Sequence, residues 1–401
     1  MPVSTIPLAI TAYTATTALG HGIDAQLDAL RQARSGLRPN DFGNAALPCW
    51  IGRVDGVEDS PLAAEHAAWD CRNNRLAWLG LRQDGFLARV RAARERYGAD
   101  RVALLLGTST ASIGATEEAY RRLDAAGEFA RDPRHPEIHA PHSLAAFVAA
   151  ALSLEGPCMT ISTACSSSAK VFASAERMLR LGLVDAAVVG GVDTLCDSVL
   201  FGFNALELVS AAPCRPFDAT RNGISIGEAA GFALLERTDV APDAPRLLGY
   251  GEASDAHHMS TPHPQGLGAE LALREALARA GLAAEQVDYI NLHGTASVKN
   301  DEVEAVLVER TFPAGTRASS SKGFTGHTLG AAGIVEAAIA LLAIEHGLIP
   351  GNLGGRTPDP VCGPQFAWRN ERRRVDVALS NSFGFGGNNA CLVFARGGFP
   401  A

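Results

Sequence analysis

Three short runs of the chain are almost continuously apolar: 102–106 (VALLL), 185–193 (DAAVVGGVD) and 227–236 (GEAAGFALLE). Runs of this length, bounded by glycine or polar residues, predict strands covered on both faces. A fourth apolar stretch, 333–349, is too long for a strand and is interrupted by Glu336, Glu345 and His346. It predicts a core helix and not a membrane span. Weaker periodicity predicts a first strand over 3–15 and helices over 24–34, 61–79, 86–97 and 144–154. Residues 35–60, 107–114 and 127–143 are punctuated by Gly, Pro, Asp or small residues and are expected as loops, with three histidines (His135, His139, His142) in the last. Their irregular spacing argues for a solvated loop over a metal site. The segment 240–245, VAPDAP, is the best linker and divides the chain into halves 1–243 and 244–401.

The second half repeats the logic of the first. VDYINLHGTAS, RASSSKGFTGHTLG and VDVALSNSFGFGG each pass from an apolar strand into a short polar motif, as RVALLLGTSTAS and MTISTACSSS do earlier. Ligands gather beyond strand ends of this kind in α/β sheets, so chemistry is expected at the seam between the halves. The duplication rests on element order, not on self-similarity of sequence.

Composition narrows the class. The chain has 401 residues, 47% hydrophobic, with 41 glycines and only 6% aromatic residues, which suits the tight packing of a layered α/β protein. A formal net charge of −8 offers no basic footprint for nucleic acid. None of the eight cysteines forms a CxxC pair, and a chain this long needs no disulfide staples, so they are read as reduced thiols in a cytoplasmic protein. The N-terminal residues lack the basic segment of a secretory signal.

The stretch 159–180, MTISTACSSSAKVFASAERMLR, carries the first candidate for chemistry. It predicts a strand, a small-residue turn at Cys165 and a helix whose apolar face holds Val171, Ala175, Met178 and Leu179. A cysteine at the first turn of a helix meets unpaired N–H groups and the positive dipole end, which lower a thiol's pKa by at most about one and a half units. Packing as a small hydrophobe is an equal alternative for this cysteine on the local sequence alone.

Three further motifs decide between them: INLHGTAS with His293, SSSKGFTGHTLGAAG with Lys322 and His327, and NSFGFGGNN with Phe383 and Phe385. With the cysteine turn, in this order, they resemble the β-ketoacyl-ACP synthases, the elongating condensing enzymes of the thiolase superfamily, which include type II polyketide and aryl-polyene ketosynthases. The resemblance runs from the first strand to the last. It implies a thiolase-like α/β fold of two pseudo-duplicated βαβαβ halves in an α-β-α-β-α core. It also implies a decarboxylative Claisen condensation between an acyl group on Cys165 and malonyl-ACP. The two family histidines correspond to His293 and His327, which as neutral rings with inward Nε2–H would donate to the malonyl carbonyl as its enolate forms.

By the same resemblance Lys322 is the buried lysine, expected to orient His327 and tune its protonation, and Glu336 is the carboxylate that balances it. The backbone N–H groups of Cys165 and Phe385 would form the oxyanion hole, with Phe383 and Phe385 as gating side chains. Thr295 and Ser297 would contact the pantetheine arm, and Thr110 would line the acyl tunnel. Asp301 and Glu304 resemble an acidic pair that either binds a cation or caps the following helix, the cap being preferred. The loop with Asp218 and Arg221 resembles one that reaches the floor of the site; that pair is also consistent with an ordinary surface ion pair and takes no catalytic role. The expected partners are an acyl carrier protein and a second subunit, either an identical copy or a related ketosynthase-like chain. No cofactor, metal, nucleic acid or membrane is expected.

Ser297 and Val298 stand where many relatives have Thr and Pro, and Gly323 follows the lysine where many have another residue. These departures remove no catalytic group but leave the carrier and the acyl chain open. The competing non-enzyme reading is a chain-length-factor-like subunit, which would characteristically lack the cysteine. A thiolase would need a second cysteine near the last strands, for which only Cys391 is available.

Overall fold

The computed structural model describes residues 5–43, 46–129 and 135–400, and its centre is one long mixed sheet. In chain order its first five principal strands are Leu8–Thr17, Val102–Gly107, Cys158–Ile161, Ala186–Asp193 and Ala229–Arg237. The next five are Arg246–Ser254, Tyr289–Asn291, Arg317–Ser319, Val377–Gly384 and Asn388–Ala395. Each set lies in the spatial order third, second, fourth, fifth, first. In both, the third, second and fourth strands run parallel and the fifth is antiparallel to its neighbours. The two sets meet where Leu8 and Ala9 pair with Leu247 and Arg246. The repeat is therefore topological, and residues 238–245 form the surface turn between the two sets.

Helices Ser167–Arg180 and Ala332–His346 fill the middle layer. Their Val171, Phe172, Leu179, Ile334, Leu341 and Ile344 share one core with the inward residues of both strand sets. Gly333 permits the close crossing, because a Cβ there would lie 2.5 Å from the Ala169 nitrogen. Outer helices, including Arg72–Leu81, Phe86–Tyr97 and Ser143–Leu152, cover the first set, and Leu267–Ala280 and Val298–Thr311 cover the second. The strand Val102–Gly107 shows why its run is uniformly apolar. Ala103 and Leu105 enter the central core, while Val102, Leu104 and Leu106 enter the outer one. The apolar stretch Leu329–His346 is long enough to cross a membrane, but 89% of it is buried inside the fold.

Some elements differ from the sequence reading. The first strand is Leu8–Thr17; residues 3 and 4 of the expected span lie outside the described residues. The expected helix 61–79 is a 3₁₀ segment, Ala64–Trp69, and a separate helix, Arg72–Leu81. Asp70 turns the chain between them in extended conformation and holds Arg75 through two hydrogen bonds, of 2.6 and 2.7 Å. The short helix His135–His139 forms where the sequence predicts loop, Ile113–Arg121 starts within the last two residues of the predicted loop 107–114, and Asp197–Ala205 runs into the stretch read as the loop that carries Asp218 and Arg221. Residues 130–134 of the expected histidine-bearing loop are outside the described residues.

Candidate active site

The turn that carries Cys165 is built by local geometry. Ala164 adopts a left-handed φ of 53°, and Ser166 is the N-cap residue of Ser167–Arg180, so Cys165 is held just before the helix's first turn. The Thr163 N–H donates to Ser167 Oγ at 2.9 Å, which closes the turn. Cys165 is 5% exposed, and burial pushes its thiol up to about 12. The Lys322 ammonium and the Phe385 N–H pull the other way. Desolvation thus outweighs the acidification expected from the helix start, and Cys165 rests as a neutral thiol.

His327 Nε2 lies 3.0 Å from Cys165 Sγ. The backbone of His327 is pinned by its N–H to the Ser225 carbonyl at 2.7 Å and by its carbonyl to the Gly227 N–H at 2.9 Å. Among the described residues its Nδ1 has no hydrogen-bond partner. His293 follows the strand Tyr289–Asn291 and packs edge-on against His327, with ring centroids 5.3 Å apart and planes at 87°. Burial and the nearby Lys322 ammonium hold both imidazoles well below the usual histidine range, so both are neutral at pH 7.

Lys322 is fully buried, and its ammonium donates to the His293 carbonyl and to Glu336. It also lies 3.4 Å from His293 Nδ1. The lysine is therefore in contact with His293, not with His327 as the sequence reading expected; it reaches His327 only through its charge. An ammonium can only donate, so His293 Nδ1 accepts and Nε2 carries the proton. Burial pushes Glu336 up to about 7 against the pull of the lysine.

Asp301 and Glu304 do not cap their helix. Glu304 accepts the N–H groups of His293 and Gly294 at 2.9 and 2.8 Å, and Asp301 accepts those of Phe217 and Ala296 at 2.8 and 3.2 Å. Both carboxylates hold the HGTA loop beneath the two histidines. Gly294 is required there, since a Cβ would meet Ser320 Cβ at 2.5 Å. Asp218 and Arg221 are buried and do not form a surface pair. Asp218 accepts the N–H groups of Thr220, Arg356 and Thr357, while Arg221 pairs with Asp359 at 2.5 Å.

A cleft of about 330 Å³ opens onto these groups and is lined by Cys165, His293, His327, Thr295, Ser297, Phe383 and Phe385, among others. Thr295 and Ser297 share a hydrogen bond of 2.9 Å at its wall. Gly386 and Gly387, at φ of 76° and 73°, turn the Phe385 loop toward the thiol. Phe383 packs on His293 with centroids 5.7 Å apart, and Phe385 stacks on Phe203 at 5.4 Å. Phe203 and Met259, whose carbonyl accepts the Gly386 N–H at 2.7 Å, belong to the site but were missed in the sequence. Phe203 lies near the end of the helix Asp197–Ala205, in a stretch that the sequence reading joins to the loop carrying Asp218 and Arg221. Thr110 is not among the residues lining this cleft, and its hydroxyl donates to Asp193 at 2.7 Å. Cys391 also lies outside the cleft, fully buried on the last strand, so the thiolase reading loses its second thiol. Among the described residues, no group of three or more His, Cys, Asp or Glu side chains is arranged to hold a metal ion.

Comparison with known proteins agrees with this geometry. Residues 6–241 match the β-ketoacyl synthase N-terminal domain and residues 245–356 the C-terminal domain. The chain is 40% identical over 261 residues to the mitochondrial 3-oxoacyl-[acyl-carrier-protein] synthase of Arabidopsis thaliana, covering 60% of this chain and 57% of that protein. It is 36% identical over 313 residues to nodulation protein E of Rhizobium meliloti (strain 1021), covering 75% and 76%. Among solved structures, the ketosynthase ApeO, in complex with its chain length factor ApeC from Xenorhabdus doucetiae, superposes with a TM-score of 0.88 at 35% identity, covering 98% of both chains. The chain belongs to the β-ketoacyl synthase family, and its fold is that of the thiolase-like condensing enzymes.

Proposed function

We propose that this chain is a β-ketoacyl-ACP synthase in which Cys165, His327, His293 and Lys322 divide two half-reactions between them. In the first, Cys165 Sγ attacks an acyl thioester. His327 Nε2, 3.0 Å away, takes the thiol proton and passes it to the departing carrier sulfur. The carbonyl oxygen, charged in the tetrahedral intermediate, is met by the backbone N–H groups of Cys165 and Phe385. No neighbour fixes the tautomer of His327, because its Nδ1 is unpartnered, so Nε2 can accept a proton in this step and donate one in the next.

In the second half-reaction the malonyl thioester carbonyl receives hydrogen bonds from His293 and His327. The carboxylate leaves as carbon dioxide, and its bonding electrons form the enolate that these donors stabilise. The enolate carbon then attacks the acyl-Cys165 carbonyl, the C–S bond breaks, and the cysteine thiolate takes up one proton from solvent, which balances the negative charge that the malonyl carboxylate brought. Lys322 keeps His293 in its donating tautomer and keeps both rings neutral. Phe383 and Phe385 gate the cleft, Thr295 and Ser297 receive the pantetheine arm, and Thr110 stands at the start of the acyl tunnel.

The observation that carries this reading is the contact of a buried thiol with one of two mutually packed neutral imidazoles. It also disfavours a chain-length-factor-like role, which has no use for the nucleophile. The carrier is an acyl carrier protein, as the name of the plant relative indicates for that enzyme, and the second subunit is an identical copy or a chain-length-factor-like chain, as in the ApeO complex. The halves divide at residues 243 and 244, and the separated thiols favour the cytoplasm. Intact mass after incubation with acyl-ACP, and again after malonyl-ACP, tests the scheme. An acyl adduct on Cys165 that malonyl-ACP discharges as a β-ketoacyl product supports it; an adduct on another residue refutes it.

A further inference from the structure

Asp193, at the end of the strand Ala186–Asp193, is fully buried and has no counter-charge among its hydrogen-bond partners. Its carboxylate instead collects donors from two separate segments. From the loop after Val102–Gly107 it accepts Thr108 Oγ1 at 2.6 Å, Ser109 N at 2.9 Å, Ser109 Oγ at 2.6 Å, Thr110 N at 2.9 Å and Thr110 Oγ1 at 2.7 Å. From the other half of the protein it accepts the Gly330 N–H at 2.5 Å. A carboxylate gripped by this many donors is held rigidly in place.

Gly330 lies three residues after His327. The intervening Leu329 is held at φ of 56°, a conformation that costs energy in a non-glycine residue and persists only where its surroundings enforce it. The Asp193–Gly330 bond, seconded by Ser109 Oγ at 3.3 Å from the same N–H, is such an enforcement. Gly330 itself can be nothing larger, since a Cβ would lie 2.7 Å from Asp193 Oδ2. The ring of His327 has no hydrogen bond at Nδ1 to aim it. Its direction must come from where the backbone places it, and that backbone is fastened at Ser225 and Gly227 on one side and at Gly330 on the other.

We propose that Asp193 is a positioning residue for His327, tying the Leu329–Gly330 turn to the Thr108–Thr110 loop so that Nε2 meets Cys165. This rests on the reading that His327 serves Cys165, and the test separates the two. Single-turnover acylation of Cys165 by an acyl-ACP, followed by intact mass, is measured in the wild type, Asp193→Asn, His327→Ala and the double variant. Asp193→Asn is expected to slow acylation about tenfold or more, since small misplacements of catalytic groups carry costs of this order. In the His327→Ala background the same substitution should leave the rate unchanged or raise it, because the group it positions is gone.

Equal slowing in both backgrounds would overturn the proposal, as would full activity of Asp193→Asn. Wild-type acylation by His327→Ala would instead refute the role of His327 itself. If Asp193→Asn does not fold, Ser109→Ala, which removes one ligand of Asp193 and the second contact to Gly330 without changing charge, goes through the same cycle. The same two outcomes decide.

Discussion

Lys322 Nζ lies 3.4 Å from Nδ1 of His293 and is also bonded to the carbonyl of that residue, so the buried cation and this histidine form one unit. His327 stands outside that unit and touches the thiol instead. The two histidines, alike in sequence setting, are thereby given different work.

The first consequence concerns half-reactions. His293→Ala should reduce malonyl decarboxylation by ~10²–10³-fold, the usual effect of losing one oxyanion donor, and leave acylation of Cys165 within a few-fold of wild type. His327→Ala should impair both, because its Nε2 lies 3.0 Å from Sγ, within reach of the thiol proton. Separate assays of carbon dioxide release and of acyl-enzyme formation check this; selective loss of decarboxylation in both variants would contradict the division.

A second consequence is the pH profile. The Lys322 ammonium disfavours an imidazolium beside it, so both histidines lie well below the usual value and the acid limb of activity should fall well below pH 6.5. Lys322→Met removes that repulsion, raises both pKa values and moves the acid limb upward. Decarboxylation measured from pH 4.5 to 8, taken over the range where each variant stays folded, tests the sign; a downward shift would be inconsistent with it.

The nucleophile itself should behave as a buried thiol. With Cys165 pushed up to about 12, alkylation by iodoacetamide should keep accelerating through neutral pH without reaching a plateau near 7. Cys165→Ala should abolish both acyl labelling and condensation. A plateau at neutral pH in the wild type would mean that the helix start dominates after all.

Two variants separate the hydrogen bond of Thr110 to Asp193 from the place proposed for it on the acyl tunnel. Thr110→Val keeps the volume but drops the hydrogen bond to buried Asp193, so it should destabilise by ~1.5–3 kcal/mol, as loss of a bond to a charged group does, and slow all acyl chain lengths alike. Thr110→Phe should in addition penalise long chains most, overpacking costing ~1–3 kcal/mol. Denaturant melts and a chain-length profile of initial rates provide the readings; identical profiles for the two variants would remove Thr110 from the tunnel wall.

Much of this protein was legible from the chain alone. The uniformly apolar run at 102–106 predicts a strand covered on both faces, and the small residues after Cys165 predict a tight turn into a helix, because those constraints act between near neighbours. The four motifs likewise named their chemistry, since thiol, imidazole and ammonium are properties of side chains. What the chain could not state was which of these groups meet. Lys322 is 29 residues from His293 and 5 from His327, yet it contacts the distant one, because the strand ends and not the sequence spacing set their separation. The thiol's acidity also reversed direction: the helix start is a local effect visible in sequence, while the desolvation that outweighs it comes from the halves closing over Cys165. Asp301 and Glu304 open the sequence of a helix and invite the reading of a cap, but they lie at its fourth and seventh positions and their carboxyl groups turn back to the loop amides around His293. Asp193 carried no sequence signal, because its donors come from segments some 80 and 140 residues away that only the folded sheet brings together.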